Sequence, residues 1–67
     1  MTVFINKIPV TIFKGALIRD VILSYSIRSY KMLQNGYLCI YDRFGNLTEP
    51  DGPVKEGQHF KLKVKKS

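Results

Sequence analysis

Apolar positions in the first part of the chain fall into two short runs. Residues 2–5 and 10–13 are rich in β-branched and aromatic side chains, and the segment 6–9 between them contains Asn and Pro. β-Branched and aromatic residues favour strands, whereas Asn and Pro favour turns. This order predicts a β-hairpin.

A helical period follows residue 16. Apolar residues recur there at three- and four-residue spacing, at Leu17, Ile18, Val21, Ile22 and Tyr25. That spacing predicts an amphipathic helix. Two continuations stay open: the helix runs to Leu33 and stops at the Asn35-Gly36 pair, or it breaks near Ser26, where several serines lower helix propensity.

The second half of the chain predicts further strands. Residues 37–41 have strand composition and are followed by a Gly-Asn turn, and residues 47–48 predict a short strand before the Pro- and Gly-rich loop 49–53. Over residues 60–65 an apolar residue alternates strictly with a lysine. One side of this last strand is therefore predicted to face the core, and the other carries a row of lysines.

Together these elements predict one α+β domain over residues 1–67. A single helix packed across one face of a mixed four- to five-stranded sheet buries the apolar sides of all the pieces. A length of 67 residues leaves room for one domain only. The hydrophobic fraction of 45% is typical of a folded globular chain.

Lysine and arginine outnumber the acidic residues by eleven to five and give the chain a net charge of +6. An excess of this size favours an acidic partner. The single cysteine, Cys39, excludes an internal disulfide and offers too few ligands for a metal or an iron–sulfur cluster, which favours a reducing, cytoplasmic setting. No apolar run approaches the roughly 20 residues of a spanning helix, so no membrane association is expected.

Residues that could carry out catalysis are not evident. The five carboxylates form no pair at catalytic spacing, His59 is the single histidine, and no glycine-rich phosphate loop or Cys-x-x-Cys motif occurs. We interpret His59 as an exposed residue at a strand end and Cys39 as a small packed residue. The chain is therefore expected not to be an enzyme and to bind neither a cofactor nor a metal.

The period of two divides the strand residues between the two faces of the sheet. The set predicted to face the helix is Val3, Ile5, Val10, Ile12, Leu38, Ile40, Phe60, Leu62 and Val64. The opposite set is Thr2, Phe4, Thr11, Phe13, Tyr37, Cys39, Tyr41, Lys61, Lys63 and Lys65. This second face is too apolar for a purely solvated surface and too basic for a core. The candidate binding residues are Phe4, Phe13, Tyr37, Tyr41, Lys61, Lys63 and Lys65.

Three segments resemble the ubiquitin-like β-grasp superfamily: residues 2–13, the helix start Lys14-Gly15-Ala16-Leu17-Ile18-Arg19-Asp20-Val21-Ile22, and the turn Val54-Lys55-Glu56-Gly57-Gln58-His59-Phe60. The pattern is most similar to the small sulfur carriers of thiamine and molybdopterin synthesis, and next to the TGS domains of RNA-associated proteins. The resemblance implies that the last strand lies in the centre of the sheet, with its lysines rising between aromatic residues.

Sulfur-carrier chemistry is not expected in spite of this resemblance. Sulfur carriers act through a C-terminal Gly-Gly, whereas this chain ends Lys65-Lys66-Ser67, and Gln58 stands where those families usually place Asp. The flexible glycines are needed to enter the active site of a partner enzyme. A sulfur-carrier-like protein that has lost or lacks the thiocarboxylate-forming C-terminus is therefore kept as a further alternative.

Three interpretations of the aromatic and basic face stay open. Lysine stems cover aromatic residues on many solvated sheets. Ubiquitin-like proteins generally bind protein partners with this face, and Tyr is enriched at interface hot spots. Aromatic rings and lysines also bind single-stranded nucleic acid, with an affinity that falls steeply with salt. We expect a small non-catalytic binding module that recognises a protein partner or itself, with RNA or single-stranded DNA as the alternative.

Overall fold

A computed structural model describes residues 1–65 as five strands and two helices. In chain order the elements are β1 (Thr2–Ile5), β2 (Ile8–Thr11), α1 (Ile18–Tyr25), α2 (Ile27–Gln34), β3 (Leu38–Asp42), β4 (Leu47–Thr48) and β5 (His59–Val64). Lys66 and Ser67, the last two residues of the predicted domain, lie outside the described residues.

The strands form one mixed sheet in the order β2-β1-β5-β3-β4. β1 and β5 are parallel, and the pairs β1–β2, β3–β5 and β3–β4 are antiparallel. The last strand of the described chain therefore lies at the centre of the sheet, with β1 on one side and β3 on the other. The predicted α+β class and the mixed sheet are confirmed.

The first hairpin has a shorter turn than the sequence pattern predicts. Ile5 pairs with Ile8, so Asn6 and Lys7 alone form the turn, with φ angles of 50° and 70°. Two successive residues at positive φ are typical of a type I′ turn, whose twist matches that of the flanking strands. β2 consequently contains Pro9, which the pattern predicts in the turn.

Two helices lie where a single helix is predicted. Ser26 ends α1 and begins α2, with an extended backbone at φ −163° and ψ 120°. Its hydroxyl oxygen accepts a hydrogen bond from the Ser29 N–H at 3.1 Å, which caps the start of α2. The prediction of one helix across the sheet is wrong, and the alternative break near Ser26 is confirmed. Neither helix in residues 1–65 is long and apolar enough to cross a membrane.

The buried core lies between α1 and one face of the sheet. Its members include Ile18, Val21 and Ile22 from α1, and Val3, Ile5, Val10, Ile40 and Phe60 from the sheet. α2 buries no residue completely and packs on this core with the half-buried side chains of Tyr30 and Leu33. The core is therefore built mainly by α1 and the central strands.

Burial decreases along β5. Phe60 is 3% exposed, whereas Val64, on the same side of the strand, is 62% exposed. Val64 pairs with Leu38 of β3, which is only 8% exposed, so the cover over this pair extends to the β3 residue and not to the β5 residue. The prediction that Val64 belongs to the core is wrong, because an apolar side chain on a sheet is buried only where another layer covers it.

Candidate functional site

We call the side of the sheet that is turned away from the core the open face. Its strand positions are Thr2, Phe4, Pro9, Thr11, Cys39, Tyr41, Leu47, His59, Lys61 and Lys63. These residues alternate with core residues, as Phe4 does with the buried Val3 and Ile5. The predicted division of β1, β2 and β3 between two faces is therefore confirmed.

The lysines of β5 form a row along the centre of the open face. Lys61 lies opposite Tyr41 in the register with β3, and Lys63 follows two residues further on. Lys65 comes directly after the strand, and its N–H donates to the Tyr37 carbonyl at 2.8 Å, which continues the pairing by one step. All three lysines are exposed, so the central strand presents a line of positive charge to solvent.

Tyr41 lies between this lysine row and the neighbouring turn. The Lys63 Nζ atom is 5.7 Å from the centroid of the Tyr41 ring, a distance at which the ring quadrupole attracts a cation. Lys61 lies directly across from Tyr41 in the adjacent strand. Three of the predicted binding residues are thus neighbours in the sheet, and two of them, Lys63 and Tyr41, are in contact.

A second aromatic pair joins β1 to β5. Phe4 is the partner of His59 in the parallel register, and the two rings stack with 4.4 Å between centroids and 5° between planes. Both residues are half-buried, so His59 is not the exposed strand-end residue that we interpreted from the sequence. Alternation alone could have found it, because His59 precedes Lys61 by two positions and shares its face.

Two turns add cations to one end of the open face. Lys7 from the β1–β2 turn and Arg43 from the β3–β4 turn border a depression of about 210 Å³ together with His59 and Lys61. A second depression of about 260 Å³ shares Arg43 and Lys61 and reaches Lys63. We call these five residues the basic end. The sequence pattern gives no sign of Lys7 and Arg43 as site residues, because only the order of the strands brings the two turns together.

Three of the acidic residues bond to groups outside the lysine row. Asp51 forms an ion pair with Arg19 at 2.7 Å, Asp20 accepts a hydrogen bond at the start of α1, and Glu56 accepts one from a backbone N–H of β1. Within residues 1–65, no carboxylate occupies a strand position of the open face. Among the described residues, the lysines of this face form no ion pair within 4.0 Å.

Asp42 borders the second depression of the basic end, and its carboxylate is held by the β3–β4 turn. It accepts hydrogen bonds from the backbone N–H groups of Asn46 at 2.9 Å and Phe44 at 2.8 Å. These bonds, with that from Asn46 the strongest influence, hold the pKa of Asp42 below its usual value of 3.8. The carboxylate thus stays ionised and closes the turn.

Two of the predicted aromatic residues lie outside the strands. Tyr37 is 57% exposed and precedes β3, where its carbonyl bonds to Lys65 and places it next to the lysine row. Phe13 is 61% exposed and follows the end of β2, so the period of two no longer assigns it to a face. In residues 1–65 no aromatic or cation–π contact joins Phe13 to the other candidates.

Cys39 is a free, half-buried cysteine on the open face. Among the described residues, no group of three His, Cys, Asp or Glu side chains is placed to hold a metal ion. The same residues contain no buried side-chain nitrogen or oxygen without a hydrogen-bond partner. The chemistry that the open face presents is therefore positive charge beside aromatic rings.

Comparison of the chain with protein-family models, with curated proteins and with solved structures finds no match.

Proposed function

We propose that this chain is a β-grasp domain that acts as a small non-catalytic binding module. The strand order β2-β1-β5-β3-β4, with a parallel β1–β5 pair and α1 packed on one face, supports the β-grasp assignment. The open face supports the binding function, because its lysines adjoin aromatic rings that are only half-buried. A cytoplasmic location stays a prediction from the single cysteine.

The partner that fits the open face best is a protein with an acidic surface. The observation that carries this proposal is the row of Lys61, Lys63 and Lys65 along the central strand, on a face without a carboxylate at its described strand positions. A surface of one sign attracts a partner of the opposite sign and speeds their association. Tyr37 and Tyr41 beside the row supply the aromatic area that interface centres favour.

Charge argues against pairing between the open faces of two copies. A symmetric contact would bring the lysines of β5 in one copy against those of the other, and like charges in an interface cost affinity. Sedimentation velocity at low salt is therefore expected to find a monomer. A dimer whose NMR shift changes map to the open face would instead make a second copy the partner.

Single-stranded nucleic acid is the second candidate, and the stack of Phe4 on His59 favours it. Two nearly parallel rings next to Lys61 offer a platform for a base, and stacking of this kind contributes about 1–3 kcal/mol per base. The cations Lys7 and Arg43 at the same end would neutralise the adjoining phosphates.

Sulfur-carrier function rests on the resemblance alone. An adenylylated or thiocarboxylated C-terminus in the mass spectrum of the isolated protein would support it.

The protein proposal is tested by affinity capture with two matched double variants. Lys61→Glu with Lys63→Glu reverses two charges on the open face, and Arg28→Glu with Lys31→Glu makes the same change in net charge on α2. Proteins from a nuclease-treated extract of the source cells are captured and quantified by mass spectrometry. Acidic proteins are expected on the wild-type chain and on the α2 variant but not on the open-face variant. Equal capture by all three would contradict the proposal.

The nucleic-acid candidate is tested by fluorescence anisotropy with a mixed-sequence RNA of about eight nucleotides, within the site size of small binding domains. If three to five phosphates are neutralised, affinity falls about 20- to 100-fold between roughly 50 and 200 mM salt. Such a fall, lost in the Lys61→Glu and Lys63→Glu variant, would make the open face a nucleic-acid site. If no RNA binding is detected even at low salt, the nucleic-acid candidate is excluded and the acidic protein is kept as the proposed partner.

A further inference from the structure

The outer edge of β3 is only partly covered by β4. In residues 1–65, β4 pairs with Ile40 and Tyr41 and with no earlier residue of β3. Continuation of the antiparallel register would bring Pro50 opposite Leu38, but proline has no N–H to donate to a neighbouring strand. The Pro50 carbonyl instead accepts a hydrogen bond from the Arg19 N–H at 3.1 Å. The described part of β3 therefore has no neighbouring strand at the outer side of Leu38.

The backbone of Leu38 points towards this open edge. Along a strand, successive residues direct their N–H and C=O groups to opposite sides. The Tyr37 carbonyl accepts from the Lys65 N–H and so points to β5, whereas the Asp42 N–H donates to the Asn46 carbonyl on the β4 side. Leu38 lies four residues before Asp42 on the same strand, so its backbone groups point to the same side as those of Asp42. Its donor and its acceptor are therefore directed outwards, where a further strand could bond to them.

The opposite edge of the sheet is protected in a way that this edge is not. In β2, Ile12 exchanges two hydrogen bonds with Met1, which places the backbone of Pro9 on the outer side by the same parity. Proline at that position removes an outward N–H and blunts the edge against pairing. At the β3 edge, Pro50 in the loop has no backbone N–H, whereas Leu38 in the strand has a backbone N–H that points outwards. The sheet thus has one blunted edge and one edge that can accept a strand.

A groove runs beside Leu38. It has a volume of about 280 Å³, and its lining combines apolar residues, among them Leu33 at the end of α2, Leu47 of β4 and Pro50, with the charged Glu49 and Lys65. Leu38 is 8% exposed and forms part of the wall, whereas Leu47 is 67% exposed at the rim. The groove opens on both sides of the sheet edge, because Leu33 and Leu38 belong to the helix side whereas Leu47 is an open-face residue. A strand that bonds to Leu38 would direct every second side chain to the helix side, towards the part of the groove at Leu33.

The other side chains of such a strand would lie on the open face. Tyr37 and Cys39 would be their direct neighbours on β3, and the lysine row of β5 would lie one strand further, at about 10 Å from the added backbone. Lys63 pairs with Cys39, and Lys65 bonds to Tyr37. Their long side chains can reach across β3, so these two lysines favour acidic side chains on that side of the added strand, most strongly at low ionic strength.

We propose that an extended segment of an acidic protein joins the sheet as a further strand along the outer edge of β3 at Leu38. Its backbone bonds to Leu38, its apolar side chains enter the groove beside Leu33 and Pro50, and its acidic side chains lie on the open face near Lys63 and Lys65. Main-chain bonds supply affinity in this mode of recognition, and alternating side chains supply specificity. The acidic character of the segment rests on the proposed function; the edge geometry does not.

A second copy of this chain is a poorer occupant of the same edge. Pairing of two β3 edges would place the lysine rows of both copies on one continuous face, about 14 Å apart, where like charges oppose association mainly at low ionic strength. At low salt the lysines therefore favour an acidic segment over a second copy. A dimer that slows hydrogen exchange of the Leu38 amide would overturn the assignment of the occupant.

The test begins with a library of random peptides of about 12 residues displayed on phage, long enough to span β3 and its flanks at about 3.3 Å per residue. Selection on the 67-residue chain is expected to enrich peptides that alternate apolar and acidic residues. The most enriched peptide is then synthesised and titrated into the labelled protein. NMR shift changes are expected at Leu38, Leu33 and Lys65. No enrichment, or shift changes confined to other surfaces, would overturn the proposal.

A backbone change tests the hydrogen bond directly. The chain is short enough for chemical synthesis, and Cys39 allows ligation of residues 1–38 to residues 39–67. Replacing Leu38 by its α-hydroxy acid removes the outward N–H and keeps the side chain. The same replacement at Thr11, which also points outwards but on the blunted edge, is the matched control. The Leu38 ester is expected to weaken peptide binding about two- to tenfold, and the Thr11 ester is expected to leave it unchanged.

Different outcomes separate this inference from the proposed function. One outcome is that peptides bind less tightly to the Lys61→Glu and Lys63→Glu variant but bind the Leu38 ester as tightly as the unmodified chain. This outcome would overturn the proposal of an added strand and keep the open face as the binding site. Peptides without acidic residues that are sensitive to the Leu38 ester would keep the edge site and overturn the acidic partner. Sensitivity to both changes supports the two proposals together.

Discussion

The two faces of this sheet are made by the same strands but differ in their contacts. On the helix side, Ile5 and Phe60 are at most 3% exposed and pack in a core of apolar side chains. On the open face, the half-buried Phe4 and Tyr41 contact a histidine ring and a lysine ammonium. Burial of apolar area is the main source of stability, whereas exposed cation contacts contribute little. The difference indicates that one face holds the fold together and leaves the other available for a partner.

The largest expected effect compares two residues on the same side of β5. Phe60→Ala removes a buried ring from the core and is expected to lower the free energy of unfolding by about 3–5 kcal/mol. Val64→Ala changes a side chain that is 62% exposed and is expected to cost about 0.5 kcal/mol or less. Denaturant unfolding followed by circular dichroism measures both. Equal losses would show that the helix layer covers the whole of β5.

The open face is expected to separate binding from stability. Lys61→Glu with Lys63→Glu breaks the contact with the Tyr41 ring, so the free energy of unfolding is expected to change by about 1 kcal/mol or less. Affinity for an acidic partner or peptide is expected to fall at least about tenfold, because attraction becomes repulsion. Thermal unfolding and a peptide titration on the same sample measure the two quantities. A variant that unfolds and loses binding together would contradict the division between the faces.

A change in the type I′ turn is expected to have a smaller effect, with folding stability and affinity for an anionic partner changing in opposite directions. Lys7 has a φ of 70°, a conformation that costs a non-glycine residue about 1 kcal/mol. Lys7→Gly removes this strain but makes the unfolded chain more flexible, so a gain of about 0.5 kcal/mol is expected. The same change removes one cation from the basic end and weakens binding of an anionic partner. Lys7→Ala, which removes the charge and keeps the strain, is the control; a gain in stability from this control would contradict the strain argument.

The smallest effect concerns the pH dependence of the turn beside the basic end. Because the pKa of Asp42 is lower in the folded chain than its usual value of 3.8, the ionised carboxylate stabilises the fold above that pH. This stabilisation is lost as the pH falls through the lower folded pKa. Asp42→Asn is therefore expected to be less stable than the wild type near neutral pH, with a difference that shrinks below about pH 3.8. Urea unfolding from acidic to neutral pH measures it, and a difference independent of pH would contradict the expectation.

The local pattern of apolar and polar residues predicted the strands correctly, but it did not decide between one helix and two. Alternation in residues 2–5 and 38–41 identified both the strands and their buried sides, because a strand has only two faces. The break at Ser26 was open in the sequence, since serine is both a weak helix former and a good cap. The hydrogen bond from the Ser29 N–H to the Ser26 hydroxyl decided between the two.

The composition and alternation of the chain determined by themselves that a basic and aromatic face exists, because side chains two apart on a strand share a side. Only the tertiary structure decided how far that face extends. Lys7 and Arg43 are far apart along the chain and adjoin because β1 and β3 flank β5. Val64 is exposed because burial depends on the layer above the sheet. Leu38 has no strand beside it because β4 ends at Thr48, before the position opposite Leu38. Each of these features depends on which elements become neighbours, and the local spacing of residues does not specify that.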